Sequence, residues 1–386
     1  MGFVSNYHPD LHLCLMNLPH YISLLLLPAC FLYSNAQQNP SLQLLEPAIS
    51  VFSSGEEGYV CFRIPAIIMT SSETLIAFAE GRKDGCSDTG NIDLVMKCSK
   101  DYGITWGPLQ LIWDDQDNTC GNPAPVLDRE TGNLFLLATW NLGSDRESEI
   151  INQTSEDTRR IFVIASTDLG SSWQTPREIT ETVKLPSWTW YATGPGSGLQ
   201  LTAEGQTARL ILGCDHIEAV SKKYYSHIIY SDDHGVSWHL GGSSPVDQVN
   251  ECEIAELPDD RLMMNMRNYD RTQKNRQIAV SDDRGMTWYG QYHDTTLIEP
   301  ICQASLHGHK DYLLFSNPAS REERIDMTVR MSTDLGTTWP YSILLHAGPS
   351  AYSDLVSIDQ QRFGCLFEAG KKSPYEHIVF QRIALE

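Results

Sequence analysis

Seven side chains in this sequence have types and settings that chemistry could use. Arg63 sits in Phe62-Arg63-Ile64-Pro65, a cation embedded in apolar sequence; Arg267 ends the run Leu262-Met263-Met264-Asn265-Met266-Arg267; Arg324 precedes the strand-like run Asp326 to Met331. Three guanidinium groups gathered in one place repel unless an anion or carboxylates compensate, so together they read as a clamp for a carboxylate or phosphate. Asp88, Glu251, Tyr352 and Glu368 add acidic and phenolic groups of the kind used in proton transfer and nucleophilic attack. Taken singly, each has a plainer reading: a structural salt bridge, a turn cap, a core or rim tyrosine. The functional reading depends on whether the elements that carry them bring them to one place.

Those elements are announced by a repeat. The pattern Ser-x-Asp-x-Gly-x-(Thr/Ser)-Trp occurs at Ser99 to Trp106, Ser166 to Trp173, Ser231 to Trp238, Ser281 to Trp288 and Ser332 to Trp339, with starts 67, 65, 50 and 51 residues apart. Each copy has the chemistry of a tight turn: an Asp acceptor for turn N–H groups, a Gly free to take positive φ, and an anchoring Trp. The period is that of propeller blades built from four antiparallel strands.

Strand-like runs surround every copy. First strands are expected at Phe62 to Met69, Pro123 to Leu127, Gly196 to Thr202, Glu251 to Leu257 and Pro300 to Ser305. Second strands are expected at Leu75 to Glu80, Leu134 to Trp140, Arg209 to Cys214, Arg261 to Arg267 and Tyr312 to Ser316, and a third precedes each box. The tail supplies Ala351 to Ile358, Arg362 to Glu368 and His377 to Ile383, one strand short, and Leu42 to Phe52 can supply the missing outer strand. The expected fold is therefore all-β, a six-bladed β-propeller with Asp-box repeats, its ring closed by the N-terminal strand.

In such a blade the start of the first strand, the end of the second and the start of the third share one end, and the box occupies the other. Arg63, Asp88, Glu251, Arg267, Arg324, Tyr352 and Glu368 all fall at the first end. The boxes themselves read as turn anchors, and their aspartates are not candidate catalysts.

Composition narrows the class. The 386 residues are 41% hydrophobic and 20% charged, as in ordinary globular proteins, so one large repeat domain over 37–386 is expected. A formal net charge of -21 argues against nucleic acid or an anionic membrane surface as partner. The first 62 residues contain no Lys or Arg, and Tyr21 to Tyr33 is an apolar run ending at Ser34-Asn35-Ala36. This reads as a signal peptide over 1–36, too short for a membrane span, and implies a secreted or lysosomal destination. Leu27-Pro28-Ala29-Cys30 faintly matches a lipoprotein box, but the Pro argues against an anchor.

Past Ala36 eight cysteines remain, an even number that permits disulfides without assigning any. None has C-x-x-C spacing and His307-Gly308-His309 has no Cys nearby, so neither a metal site nor another cofactor is expected.

Phe62-Arg63-Ile64-Pro65 followed by repeated Asp boxes resembles the exo-α-sialidases (neuraminidases) of the bacterial and animal type, in the manner of glycoside hydrolase family 33, from about Ser50 to the end. The resemblance implies general acid/base duty for Asp88, in Ser87-Asp88-Thr89-Gly90-Asn91-Ile92-Asp93. It implies a nucleophile at Tyr352, in Ala351-Tyr352-Ser353-Asp354-Leu355, partnered by Glu251 rather than Glu253 or Glu256. Arg63, Arg267 and Arg324 become the substrate-carboxylate triad, with Arg321 a neighbouring competitor for the third place, and Glu368 steadies Arg63. Trp190-Tyr191-Ala192-Thr193-Gly194-Pro195-Gly196 resembles a pocket-lining segment, which brings in Tyr191, and Arg82 is implied to touch the substrate carboxylate or a ring hydroxyl.

These residue types suit the implied reaction. Sialic acid carries a carboxylate on its anomeric carbon, so an attacking carboxylate meets like charge, whereas a neutral phenol activated by proton transfer to Glu251 does not. Sialidases with a Tyr nucleophile are a recognised exception to the two-carboxylate scheme. The expected outcome is retention, and the expected substrates are sialylated glycoproteins, glycolipids or oligosaccharides. Asp88 must be protonated for the first step, which implies an acidic to mildly acidic optimum. A sialic-acid-binding lectin without turnover, a trans-sialidase and a purely structural interaction propeller are the competing classes.

Overall fold

The computed structural model describes Gly2, residues 40–201 and residues 208–386. Apart from Gly2, the expected signal segment 1–36, with Cys14 and Cys30, lies outside the described residues, as does Thr202 at the end of one expected strand. The chain is all-β, with two short helices among the described residues, Glu147–Asn152 and Thr180–Val183. No helix among them is long and apolar enough to cross a membrane.

Hydrogen bonding gathers the strands of the described residues into four sheets. In the first, Cys61–Met69, Leu75–Arg82, Ile92–Ser99 and Gln110–Trp113 form an antiparallel meander, and a parallel bridge from Ile92 to Thr119 joins it to Thr119–Leu127, Leu134–Asn141, Arg160–Ser166 and Arg177–Glu178. The second places Trp188–Thr193 and Leu199–Leu201 on Arg209–Glu218, followed by Tyr224–Ser231 and His239–Ser243. The third runs Val249–Glu256, Leu262–Asn268, Asn275–Ser281 and Tyr289–Ile298.

The last sheet links Ser305–His309, Tyr312–Pro318, Ile325–Ser332, Tyr341–Ser357, Arg362–Ala369 and His377–Leu385, and ends on the N-terminal strand Leu42–Ser53. That final pairing is antiparallel, from Leu42 opposite Leu385 to Ser53 opposite His377, so the first and last described strands lie side by side. The innermost strands are apolar on both faces, as in Cys61–Met69, where every residue but Met69 is buried. Burial on both faces removes the need for polar alternation.

The five boxes are built alike. In the first, Asp101 accepts from the Thr105 amide at 2.9 Å and the Thr105 hydroxyl at 2.6 Å, while Ser99 Oγ accepts from the Gly103 amide at 2.8 Å. Gly103 has φ +86, and a Cβ there would lie 2.1 Å from Phe380 Cε1, so the turn needs glycine for conformation and for space. Trp106, Trp173 and Trp238 then pack edge-on against Phe380, Phe78 and Phe135, each in a different meander. Ser99 pairs with Leu75 and Ile92 with Arg82, so the box and the loop after Arg82 are separated by the length of a strand, roughly 23 Å.

Three expected strands are corrected. The segment Pro300 to Ala304 is not a strand, and pairing begins at Ser305. Its backbone is bound by side chains instead, with Arg276 Nη1 donating to the Cys302 carbonyl at 2.8 Å, and Ile301 has φ +58. The strand expected at Gly196 to Thr202 is replaced by Trp188–Thr193 and Leu199–Leu201, separated by the cis Gly194-Pro195 bond. Ala351 to Ile358 does not start a new strand: it continues Tyr341–Ser357, which runs from one meander into the next.

Candidate active site

Four inner strands carry a register irregularity at their site end: between Arg63 and Ala66, Gly121 and Ala124, Val249 and Cys252, and Ser350 and Ser353. Bulges re-aim side chains, and here they hold Arg63, Asn122, Glu251 and Tyr352. Ile64 and Asn122 accordingly take positive φ, +59 and +54. These residues and the ends of neighbouring strands enclose a cavity of about 360 Å³, lined by Arg63, Arg82, Asp88, Glu251, Arg267, Arg324 and Tyr352 among others. Of the nine residues expected at a site from the sequence, seven therefore meet around one space.

Tyr352 is the centre of the polar network. Its hydroxyl donates to Glu251 Oε1 at 2.6 Å, and Arg267 Nη1 donates to Glu251 Oε2 at 2.6 Å and to the Tyr352 oxygen at 3.1 Å. Burial pushes the Tyr352 phenol well above its usual range and the Glu251 carboxylate adds to this; Arg267, Arg324 and Arg63 offset only part. The free phenol therefore stays neutral across the working pH range, with its proton pointing at a carboxylate. Arg63 and Arg324 also face its ring, at 5.0 and 5.5 Å from the centroid.

Glu368 is wholly buried and organises the first arginine. Its carboxylate accepts from Arg63 Nε at 3.0 Å and Nη2 at 3.2 Å, from the Ile64 amide at 3.0 Å and from the Tyr352 amide at 3.1 Å. One acid thus fixes both Arg63 and the strand that presents Tyr352. Arg324 donates to the Tyr375 hydroxyl at 3.1 Å and to the Ile301 carbonyl at 3.2 Å. Its competitor Arg321 is exposed and does not line the cavity. Glu253 instead lies among Ser305, Gln303 and the Leu306 amide, and Glu256 borders a different cavity.

Asp88 reaches the cavity from the loop between Leu75–Arg82 and Ile92–Ser99, with its side chain 66% exposed. It pairs with Arg82 at 2.8 Å and Arg63 at 3.3 Å. Desolvation at the cavity wall works to raise its carboxyl, but attraction to Arg82 and then Arg63 more than offsets this and holds the group below the usual carboxylate range. Arg82 is committed to protein partners: Glu80 at 2.5 Å, Asp88, and the Cys86 carbonyl at 2.7 Å. It positions the Asp88 loop, a contact not expected from the sequence.

Comparison with known proteins places the chain in a family. Residues 73–365 match a family model described as a BNR repeat-like domain. The chain is 29% identical to a sialidase of Bacteroides fragilis (strain YCH46) over 88% of its own length and 64% of the relative's. It is 31% identical to a sialidase of Micromonospora viridifaciens over 82% and 51%, so it spans less than two-thirds of either relative. Among solved structures, Hadza microbial sialidase Hz136 superposes with a TM-score of 0.78 at 32% identity, covering 87% of this chain and 68% of that one.

The chain belongs to the sialidase family. Its fold is accordingly β-propeller-like.

Within this family member, one expected residue is misplaced and several others were not anticipated. Tyr191 does not reach the cavity: it is fully buried beside His227 and Trp188. Alternation along Trp188–Thr193 turns Trp190 and Ala192 to the cavity instead. Arg159 stacks over Trp190 at 4.2 Å and donates to Asn122, to Thr139 at 2.8 Å and to Asn141 at 2.6 Å.

Asp215 also lines the cavity, almost wholly buried, with no hydrogen-bond partner among the described residues on either carboxylate oxygen. Burial, together with Glu251 and Glu147, drives its carboxyl well above the usual range. A sequence signal for it existed: like Arg267 and Glu368, it stands near the site end of a second strand. Among the described residues, no group of three His, Cys, Asp or Glu is placed to hold a metal ion.

Proposed function

We propose that this chain is an exo-α-sialidase that releases terminal α-linked sialic acid with retention of configuration. The strands are proposed to form six blades, with Leu42–Ser53 completing the last and closing the ring. The observation that carries the reading is the 2.6 Å bond from the Tyr352 hydroxyl to Glu251, set between Arg63, Arg267 and Arg324.

The substrate carboxylate is held by the three arginines, which places the anomeric carbon over the Tyr352 oxygen. As the phenol oxygen attacks, its proton passes to Glu251, so a group that is neutral at rest becomes a nucleophile only in the transition state. Asp88 protonates the departing glycosidic oxygen and then, as carboxylate, takes a proton from the water that cleaves the tyrosyl-sugar bond. Two displacements at one carbon give retention.

Before substrate binds, Arg82 and Arg63 hold the Asp88 carboxyl low. Substrate carboxylate at Arg63 competes for that cation, weakens one of the two attractions that keep Asp88 ionised, and favours the protonated acid. Sialylated glycoproteins, glycolipids or oligosaccharides are the proposed substrates. Export through the segment 1–36 is also proposed, and a disulfide between Cys61 and Cys86 fits an oxidising destination.

The test is turnover of a fluorogenic sialoside together with NMR of the first product formed. The expected result is release of the α-anomer by the wild type and, on sialyllactose, a fall of at least about 100-fold for Asp88→Ala. Binding of sialic acid without turnover assigns a lectin, and a β-anomer as first product removes the double displacement.

A further inference from the structure

A disulfide joins Cys61 to Cys86, with the Cα atoms 5.3 Å apart. Each cysteine stands two residues before a site residue: Cys61 before Arg63 and Cys86 before Asp88. Cys61 is wholly buried in an inner strand, whereas Cys86 is exposed in the loop that carries Asp88. The bridge therefore ties an exposed loop to the buried inner strand that carries Arg63.

That loop, residues 83–91, has Gly85 and Gly90 at positive φ, and its base is closed by the Lys83 amide donating to the Asn91 carbonyl at 3.0 Å. The side-chain anchors of Asp88 are Arg63 and Arg82. One of these, Arg63, is a ligand for the substrate carboxylate on the reading above, so its hold on Asp88 weakens when the acid is needed. The bridge does not depend on charge and persists through that exchange. With the bridge closed Asp88 is two residues from a covalently fixed point, a reach of up to about 7 Å; with Cys86 released the nearer end of the loop base is Asn91, three residues away, a reach of up to about 10 Å.

We infer that the Cys61–Cys86 disulfide is a positioning element of the acid/base loop, and that opening it selectively disables protonation of the leaving group. The inference rests on the role given to Asp88. A dithiol reductant can make the change on the folded protein. Its thiolate attacks the sulfur of Cys86, the exposed residue of the pair, and the Cys61 thiolate departs and takes up a proton. The reagent's second thiol then displaces Cys86 as a thiol, so two cysteines are reduced and the dithiol becomes its cyclic disulfide.

The experiment compares kcat/KM on sialyllactose, whose leaving group needs a proton, with kcat/KM on a 4-nitrophenyl sialoside, whose leaving group does not. It uses the oxidised wild type, the dithiol-reduced wild type, Cys86→Ser and Asp88→Ala. Expected is a loss of about 10- to 100-fold on sialyllactose for the reduced protein and Cys86→Ser, since small misplacements cost that much. The aryl sialoside should stay within a factor of about three, and Asp88→Ala should show the same selectivity more strongly.

Equal losses on both substrates, or no loss on either, overturn the positioning role. If Asp88→Ala is selective and the opened bridge is not, the disulfide inference fails while the role of Asp88 stands. If Asp88→Ala itself is not selective, both fall. Should Cys86→Ser fold poorly, the reduced wild type decides.

Discussion

Replacing Arg267 with lysine tests the anion clamp in a way the geometry makes quantitative. Arg267 spends Nη1 on Glu251 at 2.6 Å and on the Tyr352 oxygen at 3.1 Å, while its buried Nε has no partner among the described residues. Burial works against the guanidinium charge, but Glu251 more than restores it, so the group is a permanent cation with a donor to spare. A lysine ammonium placed there can hold Glu251 or a ligand carboxylate, but lacks the planar fork that serves both. The change removes about one charge-assisted hydrogen bond to the ligand, worth about 1.5–3 kcal/mol. At 1.4 kcal/mol per decade, Kd for a 2,3-dehydrated sialic-acid analogue should rise roughly 10- to 100-fold, read by calorimetric titration. The wild-type and variant unfolding curves should nearly coincide. Unchanged affinity in a folded variant refutes the clamp.

Glu368→Ala strands Arg63 and the Ile64 and Tyr352 amides in the interior, and should cost about 3–5 kcal/mol in urea unfolding; a loss below about 1 kcal/mol contradicts the organising role. Asp215 has a carboxyl raised by burial, so its contribution to stability is present at acid pH and is lost as pH rises toward its folded value. Asp215→Asn should therefore gain on the wild type as pH rises above about 4, by at most about 1.4 kcal/mol per unit, and parallel curves of stability against pH would show that Asp215 is ionised in the folded protein. Arg82 and Arg63 depress Asp88, so kcat/KM on sialyllactose should keep rising as pH falls through the weakly acidic range, while the corresponding limb of kcat lies at higher pH because bound substrate occupies Arg63. Coincident limbs in the two profiles contradict that exchange.

The parts legible in the sequence were those with local chemistry. The boxes announce themselves because each turn needs Asp, Gly and Trp at fixed offsets, and they set the register that puts Arg63, Glu251, Arg267 and Tyr352 around one space. The pairing of Leu42–Ser53 with His377–Leu385 was legible because the tail lacked an outer neighbour. What the sequence hid was set by backbone irregularity and by pairing at a distance. Tyr191 was misjudged because the segment Trp188–Thr193 is a strand, and strand alternation turned its ring to the core and Trp190 to the cavity. The strand expected at Pro300 failed because Arg276 binds the backbone there. The partner of Cys86 could not be read from eight cysteines, since connectivity is fixed by which strands lie together. Asp215 was missed although the rule that selected Arg267 also points to it.

The most direct test of the account is covalent. A 2,3-difluorosialic acid should trap the intermediate, and peptide mass spectrometry should find a single sugar adduct on Tyr352, absent from Tyr352→Phe. An adduct on Glu251 or Asp88, or none during demonstrable turnover, would contradict a tyrosine nucleophile.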